Sequence, residues 1–136
     1  MENIEFKVTE SQAKTMQPLV LAMIGDSVQT LYVRTYIANK FGVKVNKMNK
    51  MVSSVVKAGA QFQTFKKIED LLLEDEQDIA RRARNTHIHS KAKNFSLTEY
   101  IYATALEALI GYLHLTGKTE RLDWVLKTSL EQLVVE

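Results

Sequence analysis

Apolar residues recur along the chain at steps of three and four instead of at every second position. This spacing is typical of helices that bury one face, whereas strands alternate apolar and polar residues. The chain holds one proline and five glycines, so few residues interrupt the pattern. The pattern therefore predicts an all-helical (all-α) fold.

The periodicity and the residues that begin helices predict four long helices. Pro18 suits the first position of a helix because its ring fixes φ. Ser96 and Glu99 have the spacing of a capping box, which predicts that a helix begins at Leu97. The polar residues 85–94 lack any period and are predicted to form a loop. The predicted helices extend over about 18–38, 46–67, 97–114 and 119–134.

Length and composition indicate one globular domain. The chain has 136 residues, of which 46% are hydrophobic and 25% charged, so we expect a single domain over 1–136 with its core in about 11–135. The absence of cysteine excludes disulfides, zinc–thiolate sites and thiol nucleophiles, and fits a reducing compartment. Residues 1–10 contain three glutamates and no apolar run, so we expect no secretory signal and a cytoplasmic protein.

The longest weakly charged segment, residues 15–33, contains one charged residue, Asp26. A membrane-spanning helix needs about 20 predominantly apolar residues, and this segment also contains Gln, Gly, Ser, Thr and Pro. We therefore expect no membrane span and predict that the segment is a buried helix.

The net charge of +2 conceals two basic blocks on either side of an acidic one. Residues 11–67 sum to +8 and residues 81–93 to +5, whereas residues 68–80 sum to −6. Two basic blocks indicate a polyanion as partner, because Lys and Arg that contact phosphates release counterions. The alternative is a helical interaction protein without nucleic acid, in which the acidic residues 69–78 would matter more.

The basic blocks supply the candidate phosphate contacts. In the first block, five side chains at steps of three and four form a stripe on the second predicted helix: Lys47, Lys50, Ser54, Lys57 and Gln61. In the second block, basic side chains lie at a helix end and in the predicted loop: Arg84, His87, His89, Lys91 and Lys93. A lysine stripe is also typical of a solvated helix face, and this alternative stays open.

Asp26 and Glu107 are isolated carboxylates, each alone in a run of at least 18 residues without another charge. An ionised carboxylate is costly among apolar residues unless a cation or a hydrogen-bond donor compensates it. Gly25 and Gly111 lie beside or one turn from these acids, and such small residues let two helices approach closely. We therefore predict that the two carboxylates converge.

Oxygen ligands without cysteine or a histidine pair select a hard cation, Mg²⁺ or alternatively Mn²⁺. Such an ion activates a bound water and neutralises a phosphate oxygen, which is what phosphodiester hydrolysis requires. The alternative is that each acid pairs separately with an Arg, a Tyr or a backbone amide.

Two motifs resemble the ribonuclease III family. Residues 21–28, Leu-Ala-Met-Ile-Gly-Asp-Ser-Val, resemble its signature helix, and residues 104–111, Thr-Ala-Leu-Glu-Ala-Leu-Ile-Gly, are similar to its second motif. The short length without a double-stranded RNA-binding domain resembles the Mini-ribonuclease III branch, as do Pro18-Leu19 before the signature and Tyr112-Leu113-His114-Leu115 after the second motif.

The chain departs from the larger ribonuclease III enzymes at three acidic positions. Those enzymes have glutamates where this chain has Leu19 and Ala22, and an aspartate where it has Thr104. Of the usual acidic quartet only Asp26 and Glu107 remain, a reduction shared by the Mini branch.

The resemblance implies a homodimeric, all-helical endonuclease that cuts both strands of double-stranded RNA and leaves 5′-phosphate and 3′-hydroxyl ends. It implies that Asp26 and Glu107 hold Mg²⁺ directly or through water, and that the lysine stripe and the loop grip phosphates across the minor groove. The implied substrate is precursor 23S ribosomal RNA, with a ribosomal protein on that substrate as a further partner. The alternative on the same fold is a catalytically silent RNA-binding or ribosome-assembly module.

Overall fold

The computed structural model describes residues 7–86 and 97–136, and these ranges contain only helices and connecting segments. The all-α fold class is thereby confirmed. The Ser96 cap and the predicted loop from residue 87 onward lie outside the described residues. The α-helices are α1 Glu10–Thr15, α2 Pro18–Lys40, α3 Val45–Val56, α4 Ala58–Ile68, α5 Glu74–Asn85, α6 Leu97–Leu115 and α7 Thr119–Ser129, with short 3-10 helices at Glu69–Leu71 and Leu130–Gln132.

Helices α2 and α6 begin at Pro18 and Leu97 as predicted, but the single helix predicted over 46–67 is wrong. Lys57 has an extended backbone, with φ −66° and ψ 155°, and separates α3 from α4. The two helices bury their apolar faces in different clusters, and one continuous helix would not reach both. The last helix ends at Ser129, five residues before the predicted end, and continues as a 3-10 turn.

Two hydrophobic clusters hold the helices together. The larger one surrounds α6, which is buried on nearly every side from Ala103 to Leu113. The smaller one packs Val33 and Ile37 of α2 against the apolar face of α3. Because α2 contributes to both clusters, it connects the two parts of the core.

Helices α2 and α6 cross in direct backbone contact. A Cβ atom at Gly25 would lie 1.7 Å from the carbonyl oxygen of Glu107, and one at Gly111 would lie 2.0 Å from that of Leu21. The predicted close approach at the two glycines is therefore present. Only residues without a side chain allow this crossing, and it places Asp26 and Glu107 side by side.

One face of α2 is exposed, which corrects the prediction that residues 15–33 form a buried helix. Met23 is 73% exposed, Leu31 is 67% exposed and Leu19 is 46% exposed. These three residues and the polar Ser27 follow one another at steps of four and form a mainly apolar stripe, which we call the α2 stripe. In the described ranges, no helix combines the length and apolarity that crossing a bilayer requires.

Candidate active site

The structure brings Asp26 of α2 and Glu107 of α6 within hydrogen-bonding reach of each other. Asp26 is exposed, whereas Glu107 is partly buried beneath it. Burial raises the pKa of Glu107 to about 7, a hydrogen bond from Gln61 opposes this shift, and the neighbouring Asp26 adds to it. The pair therefore has one carboxylate open to solvent and one whose charge is costly in the folded protein.

Neither carboxylate has a cationic partner among the residues that the structure describes. The salt bridges of residues 7–86 and 97–136 involve other acids. The alternative of separate ion pairs with arginine is therefore wrong within this part of the chain. Two adjacent carboxylates without a protein cation leave an uncompensated negative charge.

The donor set of this pair fits a hydrated hard cation. Within the described ranges, no group of three or more His, Asp or Glu side chains converges as a metal cage. Mg²⁺ retains several waters and is commonly bound by one or two carboxylates. Two oxygen ligands on the surface side of a helix crossing therefore suit Mg²⁺ better than an ion that needs a full set of protein ligands.

Gln61 belongs to this site, contrary to its predicted place on the exposed lysine stripe. It is 3% exposed, and its Nε2 donates to Gln29 Oε1 at 2.8 Å and to Glu107 Oε2 at 3.3 Å. The break at Lys57 ends the stripe before Gln61. A signal for burial was available, because Gln61 lies four and seven residues before the buried Phe65 and Ile68.

The remaining stripe residues lie on α3 and at its end. Lys47, Lys50 and Lys57 are exposed, and no salt bridge in residues 7–86 and 97–136 involves them. They line a shallow groove with Ser53, Ser54, Met51, Val134 and Glu136. The backbone N–H of Val134 donates to Ser54 Oγ at 2.9 Å, so the segment after α7 forms one wall of this lysine groove.

Arg84, at the end of α5, is held by its neighbours. Its guanidinium lies 3.5 Å from a carboxylate oxygen of Glu69 and 5.4 Å from the ring centroid of Tyr102. Its candidate partners in the second basic block, His87, His89, Lys91 and Lys93, lie outside the described residues.

Comparisons with known proteins cover most of the chain. Residues 19–118 match the family described as Ribonuclease III domain. The chain is 44% identical over 131 residues to Mini-ribonuclease 3 of Thermoanaerobacter sp. (strain X514), covering 96% of this chain and 92% of that relative. It is 40% identical over 119 residues to Mini-ribonuclease 3 of Staphylococcus aureus, covering 86% and 89%. The crystal structure of Protein FN1578 from Fusobacterium nucleatum is similar with a TM-score of 0.80 and 31% identity, covering 91% of this chain and 98% of that one.

Proposed function

The chain belongs to the ribonuclease III family, and from this membership we propose that its endoribonuclease activity on double-stranded RNA depends on a divalent metal ion held by Asp26 and Glu107. The observation that carries this proposal is the contact between these two carboxylates without a cationic partner in the described residues. Mg²⁺ is the expected ion and Mn²⁺ the alternative, because the donors are carboxylate oxygens.

The roles of the two acids follow from their positions. Asp26, exposed on α2, faces the solvent from which RNA arrives, and Glu107 lies partly buried behind it on α6. When bound, the metal would supply an activated water and neutralise a phosphate oxygen. The two acids would bind the metal ion, and the crossing of α2 and α6 fixes their positions relative to each other. Hydrolysis is expected to leave 5′-phosphate and 3′-hydroxyl ends.

The experiment that tests this proposal is incubation of a long RNA duplex with the protein in Mg²⁺, in Mn²⁺ and in chelator. We expect both strands to be cut with either ion and to stay intact with chelator. Binding without cutting in Mg²⁺ and Mn²⁺ would contradict the proposal and would indicate a silent RNA-binding module.

We further propose that the natural substrate is precursor 23S ribosomal RNA, processed in the cytoplasm by residues 1–136 acting as one catalytic domain. A ribosomal protein bound to that RNA is the expected additional partner. This assignment rests on the resemblance to the Mini-ribonuclease III branch, and relatives named Mini-ribonuclease 3 match this chain over most of their length. Cells that lack the protein should accumulate unprocessed 23S ends, and unchanged ends would contradict the assignment.

The lysine groove is proposed to hold the RNA backbone, together with Arg84 and with His87, His89, Lys91 and Lys93. Replacing Lys47, Lys50 and Lys57 by Ala should weaken duplex binding for all sequences alike, because the groove binds phosphates and not bases. The slope of log affinity against log salt should fall by roughly one unit for each phosphate that the protein no longer neutralises. Filter binding or anisotropy in chelator, at several salt concentrations, measures both effects.

A variant with Lys7, Lys14 and Lys40 replaced by Ala is the matched control for the groove. It removes the same charge from exposed positions outside the groove, and none of these lysines forms a salt bridge in the described residues. If both triple variants show the same reduction in affinity and slope, the groove has no special role, and its lysines only solvate a helix face.

The α2 stripe is proposed to form the contact between two copies of the chain. Met23 and Leu31 expose large apolar side chains on the solvent-facing side of α2. An exposed apolar patch of this kind is typical of a protein–protein contact, which removes it from water. Two copies of the lysine groove would then bind one duplex with increased effective concentration. Met23→Asp with Leu31→Asp should reduce the mass in sedimentation from about twice 15.5 kDa to about 15.5 kDa.

Asn39→Asp is the control for the α2 stripe, since it adds a charge to an exposed position near the end of the same helix. It should leave the dimer intact. A dimer that persists in the double variant would place the contact elsewhere.

A further inference from the structure

Gln61 uses both hydrogens of its side-chain amide inside the protein. One N–H points to Glu107 Oε2 at 3.3 Å and the other to Gln29 Oε1 at 2.8 Å. With both donors engaged, the amide nitrogen of Gln61 faces the Glu107 carboxylate. The hydrogen bond occupies one lone pair of Oε2 and leaves the remaining oxygen lone pairs of Glu107 for other ligands.

Gln29 fixes this orientation from α2. It is fully buried, three residues after Asp26, in the same row of buried residues as Gly25 and Val33. Its Oε1 accepts from Gln61, while its own Nε2 has no hydrogen-bond partner in the described part of the chain. A buried unpaired amide costs free energy that an apolar residue would avoid, so packing alone does not account for Gln29. The polar contact that Gln29 makes is through its Oε1, which accepts the hydrogen bond from Gln61.

Gln61 also connects the Glu107 carboxylate to the lysine groove. Its backbone N–H donates to the carbonyl oxygen of Lys57 at 2.9 Å, within the first turn of α4. The break at Lys57 thus begins a helix whose first turn has a lysine of the groove at one end and Gln61 at the other. The lysine groove and Glu107 are separated by one helical turn and one side chain.

We propose that Gln61 is a positioning residue that fixes the orientation of Glu107, and that Gln29 fixes the orientation of Gln61. This inference rests on the proposed function of Glu107 as a metal ligand. Partners of this kind hold a ligating carboxylate in the geometry that the metal and the reaction require, and removing one typically lowers metal affinity or activity by about 10- to 100-fold.

The test compares Gln61→Met and Gln29→Met with the native protein. Gln61→Met keeps the length and approximate volume of the side chain but has no N–H donor, so it tests the hydrogen bond without leaving a large cavity. Gln63→Met is the matched control, because Gln63 is exposed on the same helix. Thermal melting identifies any variant that does not fold. Two quantities are then measured: kcat and KM on a long RNA duplex in Mg²⁺, and the Kd for Mn²⁺ alone by calorimetry without RNA.

We expect Gln61→Met to lower kcat about 10- to 100-fold and to weaken Mn²⁺ binding, with KM for RNA within about twofold of native. Gln29→Met should change the same quantities in the same direction but less, and Gln63→Met should change neither. Native kcat and Mn²⁺ affinity in folded Gln61→Met would overturn the inference while leaving the proposed function intact, and so would native values in folded Gln29→Met if Gln61→Met does not fold. An effect confined to KM would also overturn it, since that result assigns Gln61 to RNA binding. If the native protein cuts no RNA in Mg²⁺, the proposed function fails and the inference fails with it.

Discussion

Asp26→Asn and Glu107→Gln should each lower cleavage of duplex RNA by two orders of magnitude or more, about 3 kcal/mol of transition-state stabilisation. The amides keep the shape of the carboxylates but bind a hard cation poorly. Single-turnover cleavage with protein in excess over RNA measures the effect. Duplex binding in chelator should stay within about twofold of native, because neither acid forms a salt bridge with a lysine of the groove in the described residues.

Asp123→Asn is the control for this pair, since it removes an exposed carboxylate from α7. It should cut RNA at the native rate. Full activity in Asp26→Asn would remove the proposed metal site, whatever the control does.

Glu107→Gln should stabilise the metal-free protein, although it lowers cleavage. The pKa of Glu107 is raised to about 7, mainly by burial, so the folded protein binds this proton more tightly than the unfolded chain. Stability therefore falls as pH rises from about 4.5 to about 7, and Glu107→Gln lacks this decrease. At pH 8 without metal, the Glu107→Gln variant should melt at a higher temperature than native, and at pH 4 the difference should shrink. Added Mg²⁺ should raise the native melting temperature more than that of the variant.

Gly25→Ala or Gly111→Ala should destabilise the fold by roughly 4 kcal/mol or more, enough to prevent folding of a marginally stable domain. The added methyl groups would lie 1.7 Å and 2.0 Å from backbone carbonyl oxygens of the facing helix. Backbone atoms in two packed helices cannot move aside as the end of a side chain can, so α2 and α6 would have to separate. Urea or thermal unfolding measures the decrease in stability.

Gly42→Ala is the matched control for the crossing, because nothing lies within 4 Å of a Cβ placed at Gly42. Its stability should differ from native by less than about 1 kcal/mol. If Gly25→Ala were equally mild, the two helices would not be in backbone contact in solution.

The features that the sequence predicted correctly depend on local rules. Pro18 fixes the start of α2, and the period of three and four residues predicts helices without reference to the rest of the chain. The close approach of α2 and α6 was predicted from Gly25 and Gly111, because glycines on two facing helices let their backbones come into contact. The position of Asp26 beside Glu107 followed from that approach.

The features that the sequence did not predict depend on long-range packing. Lys57 is neither glycine nor proline, so nothing local marks the end of α3. The break exists because α3 and α4 pack into different clusters. The same break rotates Gln61 from the predicted lysine stripe into the site. The exposed face of α2 was not predicted, because the apolar residues of a helix indicate that this face is covered. They do not indicate whether the same chain or another molecule covers it.

The backbone contact at Gly25 and Gly111 sets the spacing of the two carboxylates of the site. The spacing of Asp26 and Glu107 depends on main-chain atoms in contact, and not on how well distant side chains fill space. Improved helix propensity on the exposed face of α7 should therefore raise the melting temperature without moving the carboxylates. An engineer who seeks a heat-resistant form of this enzyme can change exposed positions outside the site, the lysine groove and the α2 stripe, provided that both glycines remain.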